Sequence, residues 1–167
     1  MNFVIVPAVA LIPLLIGFIW YHPKVFGNAW IKASKMIEEK PSGAKMAKIF
    51  GLTYLLSLLF TIGLMPIVIH QMHIFSLLAA GTEIKDPTSE HSLMFKKIMV
   101  TFGNEFRTFK HGAFHGVLAG FFVVLPILGI NALFERKGFK YIAINVGYWI
   151  ITMALMGGIL CAFMKID

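Results

Sequence analysis

Of the six histidines in the chain, four fall in two close pairs, His70-x-x-His73 and His111-x-x-x-His115. On a helix, residues four apart lie on one face, and residues three apart nearly so. Imidazole is the commonest metal ligand, and two such pairs would close a tetrahedral zinc site or hold iron or copper. Glu105, or Glu83, is in range to add a carboxylate. No H-E-x-x-H is present, and the histidines are too few for a multi-box membrane di-iron enzyme. The plainer alternative is that each imidazole bonds a backbone carbonyl, a lipid headgroup or water at a membrane surface. A metal ion is thus one candidate cofactor, with no element favoured.

A second constellation is the run Gly17-Phe-Ile-Trp20-Tyr21-His22-Pro23-Lys-Val-Phe26-Gly27-Asn-Ala-Trp30. Pro23 disfavours continuing a helix, while Trp20 and Tyr21 have rings suited to headgroup depth. The run therefore predicts the exit of a span, an aromatic belt, and a short helix with Phe26 and Trp30 on one face. Trp20, Tyr21 and His22 are also the candidate lining of a ligand pocket at this bend. Asn131, Glu135 and Asn145 are the candidate polar contributors, because an amide in lipid is expensive without a partner. A hydrogen bond between Asn131 and Asn145 across a hairpin is the expected resolution, with Glu135 in a solvated turn.

The third constellation is Gly112-x-x-x-Gly116-x-x-x-Gly120, which lets another backbone approach closely. Ala154, Gly158 and Ala162 supply a matching small face near the C-terminus. The expectation is helix packing and self-association through the glycines, unless a helix of the same chain covers them.

These residues must be held by membrane-type elements. The chain has 167 residues, 58% hydrophobic and 14% charged, against roughly 25% charged in soluble domains. Its net charge of +7 lies between apolar runs, which favours anionic headgroups over nucleic acid as counter-charge. The single cysteine, Cys161, excludes an internal disulfide and a CxxC motif. No nucleophilic triad, phosphate loop or dinucleotide fingerprint occurs, so the balance leans away from an enzyme.

One domain over 1–167 is expected, all-α, with spans near 3–21, 49–72, 112–134 and 141–164. The first is 19 uncharged residues, about 28 Å as a helix, and lacks the basic flank of a cleaved signal. Pro7 and Pro13 predict local distortion in it. Ser42 is the expected N-cap of the second span. Asp86-Pro87 reads as the start of an amphipathic helix over 87–110, with Phe95, Ile98, Phe102, Phe106 and Phe109 on one face. The first and third loops hold nine Lys and Arg against six elsewhere, which places both termini outside by the positive-inside rule.

The W-Y-x-P-x-x-F-G-x-x-W pattern from Trp20 to Trp30 resembles the signature of the domain-of-unknown-function 1761 family of small membrane proteins. So do Ala132-Leu-Phe134-Glu135-Arg136-Lys137 and the following Ile144-Asn145-Val-Gly147-Tyr148. The resemblance implies a four-helix integral membrane domain and no assigned activity. The expected function is non-enzymatic: binding a small ligand or partner, with a transport or homeostasis role. A metalloprotein built on His70, His73, His111 and His115 is one alternative, and a structural or assembly subunit acting through helix contacts is another.

Overall fold

The computed structural model describes residues 3–36, 42–78 and 85–164, and among these every regular element is helical. Among the described residues three helices are long and apolar enough to cross a membrane, or four if a bent pair at the start forms one span. That pair comprises α1 (Ile5–Val9) with α2 (Ile12–Trp20), then a π turn at Pro23–Gly27 leading into α3 (Asn28–Ser34), bent by 57°.

The prolines explain the opening break. The Leu11 N–H turns to Ala8 O rather than to Pro7 O, and the freed Pro7 carbonyl accepts from the Tyr54 hydroxyl at 3.2 Å. A neighbouring helix thus satisfies the carbonyl that the distortion leaves free. Tyr148 Oη also donates to Pro13 O of α2 at 2.8 Å.

The second span, α4 (Gly43–Val68), starts at Ser42, whose Oγ accepts from Lys45 N–H at 3.4 Å. It ends two residues after Pro66, where Ile69 is extended, rather than running on to 72. After a turn at His70 the chain forms α5 (Gln71–Leu78). The amphipathic helix is α6 (Glu90–Phe102), with Phe95 packed on Phe75 of α5 at 5.9 Å. It is shorter than the 87–110 expected. At its start, Asp86 holds Thr88 in a turn and Ser89 caps the helix instead. At its end, tertiary contacts take the carbonyls that a continued helix would use. Buried Gln71 donates to Phe102 O and Glu105 O, each at 3.0 Å, and Cys161 Sγ donates to Phe106 O at 3.3 Å.

The third span is α7 (Phe109–Ala119), a π turn at Gly120–Val124, and α8 (Leu125–Phe134). A tight reversal with left-handed Arg136 and the Lys137 N–H on Ala132 O leads into α9 (Phe139–Phe163). Glu135 is exposed in that turn. The principal packing is α7 against α9. A Cβ at Gly112 would fall under 3.0 Å from Gly157 O, one at Gly116 from Met153 O and Ala154 Cα, and one at Gly120 from Ile150. Gly158 receives the Phe109 ring, and Ala162 is half-buried. The glycine stripe is therefore covered within the chain, which leaves none of it to bind a second copy. The core beside it joins Val6 and Val9 of α1 to Leu64, Met65 and Val68 of α4 and Met153, Met156 and Leu160 of α9. The outward faces are apolar too, with Leu56 at 65% and Leu59 at 68% exposure along α4.

Candidate metal centre

Three of the four histidines converge. One ring nitrogen each from His70, His111 and His115 lies within 4.8 Å of the others, and His70 Nε2 is 2.9 Å from His111 Nε2. His111 and His115 stand one turn apart on α7, on the side next to the glycine stripe. Because Gly112 and Gly157 bring α7 and α9 into backbone contact, Val68 at the end of α4 also reaches Gly157. The break after Val68 then carries His70 over the α7 pair. Its ring centroid lies 5.0 Å from that of His111 and 4.7 Å from that of His115.

The surroundings are aromatic. Phe106 stacks on His111 at 5.1 Å, and Phe114 meets His115 edge-on at 5.7 Å. Phe106 has φ of 60°, an uncommon conformation for a bulky residue, held by the Cys161 hydrogen bond to its carbonyl. His73 is exposed on α5 and stands outside the group, so the expected four-imidazole set is a set of three. The reason is the turn at His70: the break separates it from a helix on which His73 would share its face. Glu105 contributes its backbone carbonyl to Gln71, not a carboxylate to the trio, and Glu83 lies outside the described residues.

Partial burial beside the cluster, together with the His111 and His73 charges, lowers the pKa of His70 from the ordinary histidine value. The unfolded chain therefore takes up that proton first as pH falls. The stabilisation that neutral His70 contributes is fully present above about pH 6.5 and is lost as pH falls through its lower folded value.

The opposite end of the bundle gathers the polar groups of the bend. Asn145 Oδ1 accepts from Tyr21 Oη at 3.0 Å and from Trp30 Nε1 at 3.2 Å, while its Nδ2 donates to Tyr141 O at 2.7 Å. Trp20 Nε1 donates to Ile144 O at 3.1 Å, and the Trp20 ring would lie 3.1 Å from a Cβ at Gly147. Phe26 packs on Trp20 at 4.4 Å, and Lys137 Nζ donates to Ser34 O. The expected Asn131–Asn145 bond is absent: Asn131 is exposed, and the aromatic donors of the first loop fill the Asn145 amide instead. Neither Asn131 nor Glu135 joins this cluster. Sequence reasoning missed Tyr141 and Trp30 as its members: Tyr141, one turn before Asn145, was the available signal, whereas Trp30 lies in α3, far away in sequence.

The two segments with the distinctive residues, Trp20 to Trp30 and Ile144 to Tyr148, thus form one contact. The sequence profile of the family described as "Protein of unknown function (DUF1761)" matches residues 4–161, which includes both segments and all three clustered histidines. The chain belongs to the DUF1761 family. No curated protein and no solved structure matches it. In this DUF1761 chain the two clusters occupy opposite ends of the helices, the histidines beyond the end of α4 and the Asn145 group near the start of α9.

Proposed function

We propose that this chain is an integral membrane metalloprotein in which His70, His111 and His115 hold a transition-metal ion at one end of the bundle. The observation that carries this is the convergence of three imidazole nitrogens from two separate elements within 4.8 Å. A tetrahedral ion about 2.0–2.1 Å from each would hold them about 3.4 Å apart, within the 4.8 Å spread of the three ring nitrogens. Three nitrogen donors with no carboxylate in the group suit zinc or copper rather than magnesium or calcium. Exposed His70 leaves the fourth position open to an exchangeable ligand, as suits binding and transfer of an ion. By the positive-inside rule the trio faces outside, with both termini.

Protein purified without chelator is expected to carry stoichiometric metal by elemental analysis. His111→Ala should remove it with membrane insertion unchanged, and His73→Ala should not. Absence of metal from the wild type, or equal loss in the His73 variant, overturns the proposal. Protons compete with the ion for neutral imidazole, so occupancy should hold at pH 7.5 and fall on acidification below about pH 6.5. A flat occupancy down to about pH 4, well below free histidine, would point to donors other than imidazole.

A further inference from the structure

A cavity of about 430 Å³ lies at the end of the bundle away from the histidines. Pro13, Leu14, Gly17 and Phe18 of α2 form one wall, Ile49, Phe50 and Thr53 of α4 the other, and Tyr148 of α9 closes the space between them. Tyr21, His22 and Pro23 line it at the bend. The walls are apolar and partly open, with Phe18 at 78% and Phe50 at 50% exposure. We infer that this groove binds one anionic phospholipid, with an acyl chain along α2 and α4 and the phosphate at the His22 end.

Charge selects that occupant. Lys24 follows the lining residue Pro23, and Lys45 lies one turn before Ile49 on the same face of α4. Both are exposed. Neither described stretch that forms the walls, 3–36 or 42–78, contains a single Asp or Glu. His22 adds a directed donor. Its Nδ1 accepts the Lys24 backbone N–H at 3.2 Å, which puts the proton of the neutral ring on Nε2, a donor available to a phosphate oxygen. A zwitterionic lipid would bring its own cation to the same lysines, so the groove should discriminate between headgroups.

The test is native mass spectrometry of the intact chain in detergent, titrated with phosphatidylglycerol or with phosphatidylcholine of the same acyl chains. The wild type should hold one phosphatidylglycerol in preference to phosphatidylcholine. Lys24→Gln and Lys45→Gln should each weaken phosphatidylglycerol about fivefold and leave phosphatidylcholine unchanged. Gly17→Leu should fill the groove and weaken both, since a Cβ there stands 3.7 Å from the Tyr148 ring and a larger side chain must extend into the space. Equal binding of the two lipids by the wild type overturns the inference. So does a headgroup preference that survives in the double lysine variant, whose exposed positions leave the fold intact even if Gly17→Leu does not.

Discussion

Gly116→Ala is expected to destabilise the bundle by about 3 kcal/mol, the upper part of the usual overpacking range. The added Cβ would fall under 3.0 Å from Met153 O, Met153 C and Ala154 Cα. All three are backbone atoms that no rotamer change can move, so α7 and α9 would have to part. The same substitution at Gly129 provides the control, because nothing lies within 4 Å of a Cβ there. Alanine is the better helix former by up to about 1 kcal/mol, so Gly129→Ala should be neutral or stabilising. Thermal melting of both variants in one detergent measures the contrast. A Gly116→Ala protein that melts with the wild type would mean that α7 and α9 are not in backbone contact.

Asn145→Leu should cost about 2 kcal/mol, most of it from two donors left without an acceptor. Tyr21 Oη and Trp30 Nε1 share that one oxygen, so a single substitution strips both and releases α3 from α9. Hydrogen bonds between membrane helices average only about 0.6 kcal/mol, which is why the pair matters more than either bond. Asn131→Leu, at an exposed position, should leave the melting temperature where it was. Tryptophan emission offers a second measurement: Asn145→Leu should shift it to the red as Trp30 loses its site, and Asn131→Leu should not. Equal effects from the two variants would return the Asn131–Asn145 pairing to consideration.

Spans, the hairpin and the glycine contact were legible in the sequence because each rests on local pattern. Long uncharged runs must be helical in lipid, and six residues between two of them force an antiparallel pair. The partner of the glycine face was half legible: Ala154 and Gly158 were recognised, but Gly157, the residue opposite Gly112, was not. Small residues that adjoin in sequence look alike until the register of two helices is known. The histidine group depended on a turn. His70 and His73 look equivalent by spacing, but His70 stands in the turn between α4 and α5 and His73 within α5. The end of α6 was illegible for the same reason, since the groups that stop it, Gln71 and Cys161, come from elsewhere in the chain. Local pattern also suggested the wrong partner for Asn145, because the nearest amide in a hairpin is not the nearest donor in the bundle.

The π turn at Gly120–Val124 has a consequence for how the length of this span can vary. Gly120 and Ala132 are both buried, Ala132 at 1% exposure, yet twelve residues of regular helix would set them about 120° apart. A π turn absorbs one extra residue, so the two positions behave as if eleven apart and come within about 20°. Removing one residue inside 120–124 would convert the turn to ordinary helix and leave both halves facing as they do now. Removing one between His115 and Gly120 would instead swing the histidines away from α4 while the lower half kept its contacts. The span thus contains a built-in allowance of one residue, and homologous chains shorter by one there can keep the same faces buried.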